Sequence, residues 1–282
     1  MPCAIEYRSP GTVTSVSTPR VTAVAALCLT TLTTALSLSA CSISDSFGPK
    51  PNQALLGLAR QASADADVID DGTSLDGIRK QQADALYDEI ARLCGRESNG
   101  AVPRSCSVDR GANGISGTKD TSTMTSSDLN AADRVPAESK ALVISQAIDL
   151  SSKDAPTSLP EPPSVALLKV DKEILTDLLK REHGVVVGLD VASAYTKTNL
   201  STIRDHHDQR RVALAKLIGD GAPAAEPGYK FASDPTKPSS YLDDTAKDMN
   251  AAWRQAATQA NDPQVRAWLV NVAAMLSAGS EK

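Results

Sequence analysis

The chain has 282 residues, with 34 acidic against 29 basic side chains and a formal net charge of −5. That balance disfavours a nucleic-acid binder, because neutralising phosphates needs a basic surface. Aromatic residues make up only 3%, which argues against a β-sandwich and for a core of interlocking helices with small contact residues.

From Val21 to Ala40 no charged residue occurs, after Arg8 and Arg20 and directly before Leu38-Ser39-Ala40-Cys41. An apolar run that enters the bilayer, positive charge on its cytoplasmic side and small residues before a cleavage point make an export signal. Leu-Ser-Ala-Cys resembles the lipobox of bacterial lipoproteins, which implies a diacylglyceryl group on the Cys41 thiol. Residues 1–40 thus read as a lipoprotein signal peptide and 41–51 as a tether. The competing readings are an ordinary signal peptide cut near Ala40 and an uncleaved anchor, since about 20 apolar residues just span a bilayer. Glu6 and the long stretch before Val21 are atypical and admit a translation start downstream of Met1.

Without residues 1–40 the chain loses Arg8, Arg20 and Glu6, leaving 27 basic and 33 acidic side chains. Cys3 and Cys28 leave with the signal and Cys41 goes to lipid, so Cys94 and Cys106 remain as an even pair in an oxidising compartment, where a disulfide is expected. Zinc is the alternative, but two thiolates without a nearby histidine are too few ligands.

In chain order, Pro49 and Pro51 keep the tether from continuing as helix. Leu55, Leu58, Ala59, Ala62, Ala66 and Ile69 recur at helical spacing and predict a first helix over 52–70. A second runs over 74–93 with Ile78, Leu86, Ile90 and Leu93 on one side, ending at Cys94-Gly95. Two helices joined by so short a link form an antiparallel hairpin. Residues 96–126, rich in Gly, Ser, Thr and Asn, read as a loop pinned by the disulfide and then a mobile segment. Pro136 can open a helix carrying Leu142, Ile144 and Ile148, and residues 151–163 form a proline-rich linker. The N-terminal helical region is therefore set at 52–163.

Residues 164–282 predict four helices. The first spans 164–194, with Ile174, Leu178, Glu182, Val185 and Leu189 on one stripe and Leu175, Leu179, His183 and Val186 on the next. The second, 200–218, aligns Ile203, His207, Arg210, Leu214 and Leu217. After an irregular stretch over 219–238, a third helix capped by Ser239 or Ser240 runs to Ala260, and Asn261-Asp262-Pro263 caps the fourth. A long crossover in a four-helix bundle lets helices two and three run parallel, as in ferritin-like topology.

This last third resembles a ferritin-like domain of unknown function found in actinobacterial proteins, often lipoproteins. The resemblance rests on Glu182-His183, on His207 with Arg210-Arg211, and on Gly221-Ala222 with Tyr229, and covers roughly 165–282. Ile90-Ala91-Arg92-Leu93-Cys94-Gly95 with Ser105-Cys106 looks like the amino-terminal part of such lipoproteins. It implies an all-α fold, a ferritin-like four-helix bundle preceded by a helical hairpin.

Di-iron members of that architecture need Glu-x-x-His on two helices, because i and i+3 project onto one face. No such motif occurs here, and Glu182 and His183 are adjacent, about 100° apart around a helix. Asp205-His206-His207-Asp208 likewise splays around its helix, so His207 is expected to pack on Glu182 or His183 while its neighbours are solvated. Arg210-Arg211 reads as a salt-bridging pair, and Trp253 and Trp268 as core or partly exposed anchors. No phosphate loop or nucleophile elbow appears, so no catalytic residue and no cofactor is expected. The leading expectation is a non-enzymatic envelope lipoprotein at the extracytoplasmic face of the cell membrane, which binds an envelope protein or a small ligand. The alternative is a metal-binding or redox protein holding a single metal ion through Glu182, His183 and His207. A third reading, a solute-binding lipoprotein of a transporter, requires strands and helices alternating in two lobes.

Overall fold

The computed structural model divides the chain into two units, Met1–Cys41 and Ser42–Lys282. It describes residues 48–69, 72 and 74–279, all in the second unit. The signal peptide, Cys41 and the first part of the tether lie outside the described residues.

The fold is all-helical, with eight α-helices and no strand among the described residues. The two-lobed architecture of alternating strands and helices is therefore not present there. No helix among them is long and apolar enough to cross a membrane.

Helices α1 (Gln53–Ile69) and α2 (Ser74–Cys94) form the expected hairpin. Asn52 opens α1, its side chain accepting the Leu55 amide at 3.0 Å, and Leu55, Leu58, Ala59 and Ala62 close on Leu86, Tyr87 and Ile90. Cys94 and Cys106 are joined by a disulfide with Cα atoms 6.3 Å apart, and the Pro49 carbonyl lies 3.3 Å from Cys106 Sγ. The segment beyond the disulfide is docked on the hairpin. Tyr87 Oη donates to the Gly111 carbonyl, the Thr118 amide to Asp65, and a Cβ on Gly117 would overlap the Ala64 carbonyl.

Overlapping the end of the 96–126 stretch expected to be irregular, the chain forms α3 (Thr121–Ala131). Its residues show almost no apolar contrast, but Asp120 caps it by accepting the Ser122 and Thr123 amides, supplying acceptors for amides that otherwise have none. Pro136 begins a 3-10 turn (Ala137–Ser139) that leads into α4 (Lys140–Ser151). This short helix is buried on two sides. Val143 enters the hairpin core, while Ile144, Ala147 and Ile148 enter the core of the following helices; the valine and each isoleucine contribute about 2 kcal/mol by burial.

Four helices follow: α5 (Lys169–Ser193), α6 (Ser201–Ile218), α7 (Pro238–Gln259) and α8 (Pro263–Ser277). Residues 164–168, expected to be helical, precede α5 in irregular conformation. Neither Ser239 nor Ser240 caps α7: Pro238 takes the first helical position, Lys237 the cap, because proline's missing N–H costs nothing there. Asp262 caps α8 as expected, accepting from the Gln264 and Val265 amides.

Helix α5 runs antiparallel to α6, with Lys172 beside Asp220 and Asp190 beside Arg204. It also runs antiparallel to α7, with Glu182 against Trp253 and Gly188 against Tyr241. Helices α6 and α7 are thus parallel, and the 219–237 crossover makes this connection possible. Asp171, fully buried near the start of α5, accepts the Asn261 and Asp262 amides and fixes the α7–α8 turn. The proline-rich linker lies against α6 through Lys216 and Glu161, and against α8, where Trp268 Nε1 donates to the Pro160 carbonyl at 2.9 Å.

Candidate functional site

The stripes of α5, α6 and α7 converge on Glu182, which is wholly buried. Glu182 Oε1 accepts from Arg210 Nε at 2.8 Å and from Trp253 Nε1 at 3.0 Å. Glu182 Oε2 lies 2.6 Å from His207 Nδ1. The same Nδ1 is 2.8 Å from Arg210 Nη2, and one nitrogen cannot both donate to the carboxylate and accept from the guanidinium. An N–H pointing at the anion is the stronger arrangement, so the Arg210 contact is one of proximity.

Burial pushes the Glu182 carboxyl up, but the charges of Arg210 and His207 and the hydrogen bonds they make outweigh it, and the group titrates at about 2. Glu182 is therefore an anion throughout the physiological range, neutralised from within. Trp253 extends the network by an edge contact to Trp268, with ring centroids 5.6 Å apart, and Trp268 reaches the linker. Five segments thus meet through one carboxylate.

His183, though next to Glu182, points elsewhere. Its Nε2 lies 3.3 Å from the Pro223 carbonyl, to which it donates as N–H, tying α5 to the crossover, while its buried Nδ1 has no partner among the described residues. Glu182 and His207 therefore come together and His183 does not join them. Asp208 pairs with Arg204 and Arg211 on the surface of α6. No group of three or more His, Cys, Asp or Glu side chains among the described residues is placed to hold a metal ion.

Two features were not anticipated from the sequence. The first is a buried polar cluster in the N-terminal half. Asp65, wholly buried, pairs with Arg79 at 2.6 Å and accepts from Gln61 and Thr118; Arg79 also donates to Gln82 at 2.5 Å. Asp128 of α3 is 1% exposed, and its Oδ2 has no partner among the described residues. Burial holds its carboxyl up at about 7; Arg79 pulls it down, and Asp65 pushes it up again. The spacing of Thr121, Met124, Thr125, Asp128 and Ala131, all buried, was the available signal.

The second is a cavity of about 300 Å³ between α5, the crossover and α7. Its wall is aromatic: Tyr229 and Phe231 from the crossover and Tyr241 from α7. Two glycines one helical turn apart admit these rings against α5. A Cβ on Gly184 would stand 3.1 Å from the Tyr229 ring, and one on Gly188 would overlap the Tyr241 hydroxyl. Glycine inside a helix costs about 1 kcal/mol relative to alanine, so this close approach has a stability cost that the ring contacts offset. Phe231 and Tyr241 meet edge to face at 6.2 Å, and burial, partly offset by a hydrogen bond with Thr245, raises the Tyr241 phenol. Burial exceeds 90% at Val185, Met249 and Tyr241. In comparisons with protein-family models, curated proteins and solved structures, nothing matches this chain.

Proposed function

We propose that the protein is an envelope lipoprotein, held at the extracytoplasmic face of the membrane by lipid on Cys41, whose helical part is a non-enzymatic binding module. The lipobox-like Leu38-Ser39-Ala40-Cys41 supports the placement. Helices α5 to α8 form its ferritin-like bundle in this reading, supported by antiparallel α5–α6 and α7–α8 pairs and a long crossover between parallel α6 and α7.

The use of Glu182 carries the non-enzymatic reading. Both its oxygens are occupied by donors of the protein itself, and the Arg210 guanidinium stands 2.8 Å away, where a metal cation would be repelled. The buried carboxylate serves here to join helices. The function is then binding, of another envelope protein or of a small ligand.

Metal analysis tests this reading against a metal-binding or redox protein. The full chain, folded with iron, manganese or zinc, is expected to carry no stoichiometric metal, and His207→Ala to lower the melting temperature. A stoichiometric metal that disappears in His207→Ala overturns the proposal.

A further inference from the structure

We propose that the cavity between α5, α7 and the crossover binds a small organic anion built on a flat apolar ring, such as an aromatic carboxylate, sulfonate or phosphate ester. The inference rests on the binding-module reading and gives it a site and a ligand class.

Shape is the first argument. The cavity is at the small end of the range of small-molecule sites, and its wall combines three rings with the α5 backbone at Gly184, while Gly188 lets Tyr241 and Phe231 close on the helix beside it. Rings packed on one another and on a glycine surface favour a planar guest, which can stack or meet them edge-on. The wall is held open by its own bonds. The Tyr229 hydroxyl accepts the Glu226 amide at 2.8 Å, and Ser233 Oγ donates to Asp244 at 2.5 Å, so both ends of the aromatic segment are fixed.

Charge is the second. Lys180, Arg181 and Lys230 line the cavity, exposed and with no ion-pair partner among the described residues. Glu226 and Asp248 are the acidic groups of the lining. The lining is therefore net positive in a chain of net charge −5, and three exposed cations beside an aromatic wall complement a ring that carries an anionic group. An aromatic cage for a quaternary ammonium would need the opposite balance.

Calorimetric titration of the full chain with three probes on one ring tests this: 2-naphthalenesulfonate, 2-naphthalenemethanol and 2-naphthylmethylammonium. The sulfonate is expected to bind about tenfold or more tightly than the alcohol, the worth of one charge-assisted hydrogen bond, and the ammonium most weakly. Gly184→Leu should fill the cavity and weaken sulfonate and alcohol alike. Lys180→Glu with Arg181→Glu should lose the preference for sulfonate and keep the affinity for alcohol, and these exposed positions leave the fold intact if Gly184→Leu does not fold. Equal binding of the three probes, tighter ammonium binding, sulfonate binding indifferent to the charge reversal, or no saturable binding overturns the inference. Metal content is unaffected by any of these outcomes, so the two proposals fail separately.

Discussion

Replacing Asp128 with Asn removes an ionisable group and little else, because the two side chains have nearly the same shape. In the fold the carboxyl titrates at about 7, against an ordinary value of 3.8. Between those values the folded chain holds a proton that the unfolded chain has released, so folding stability falls as the pH rises. The stabilising contribution is complete below about 3.8 and lost by about 7. At about 1.4 kcal/mol for each tenfold change in proton affinity, the whole window is worth at most about 4 kcal/mol, and relaxation or water entry reduces it. Urea denaturation followed by far-ultraviolet circular dichroism, repeated from pH 4 to pH 8, reads this directly. The stability of Asp128→Asn relative to the parent should rise through that range and level off above about 7. A difference flat in pH, or one that falls, would show that Asp128 is solvated or paired in solution and refute the reasoning.

Glu182→Gln should act in the opposite window: the parent loses stability between about 4.5 and 2 as Glu182 takes up its proton, a loss of about 3 kcal/mol at most, and the variant's acid denaturation should lack that component while its neutral-pH stability falls because Arg210 is left buried without its counter-charge. Cys41→Ala should release the protein from membranes or block its processing in a fractionation assay; unchanged membrane association would identify residues 21–40 as an uncleaved anchor.

The sequence made legible what depends on short-range periodicity. Helices α1, α2, α5 and α6 carry aliphatic residues every three or four positions, so their faces could be read and their ends placed to within a few residues. Helix α3 was not legible in this way because Ser and Thr fill its faces and its buried side includes Thr121, Thr125 and Asp128, residues whose burial depends on partners from other helices. Glu182, His207 and Arg210 were legible as polar residues on apolar stripes, but the fourth member of that network was not. Trp253 looks like any core aromatic, and only the three-dimensional arrangement brings its indole N–H to a carboxylate 71 residues away. The cavity is less legible still, since Gly184 and Gly188 lower helix propensity on α5 and acquire meaning only when Tyr229 of the crossover and Tyr241 of α7 pack against them.

The two buried acids show how partner placement, rather than burial, decides the behaviour of a charge. Both lose nearly all contact with water, yet burial prevails at Asp128 and not at Glu182. Glu182 is in direct contact with both Arg210 and His207. Asp128 shares Arg79 with Asp65, which is in direct contact with the guanidinium at 2.6 Å and repels a second anion. One withdraws stability as the pH falls below its unfolded value of 4.5, the other as the pH rises above 3.8. The two windows meet at about pH 4, so together these acids favour the fold most under mildly acidic conditions. The cost at neutral pH falls on the α3 side of the molecule, where Asp128 faces an already committed arginine, while in the network that joins α5, α6 and α7 Glu182 stays ionised against Arg210.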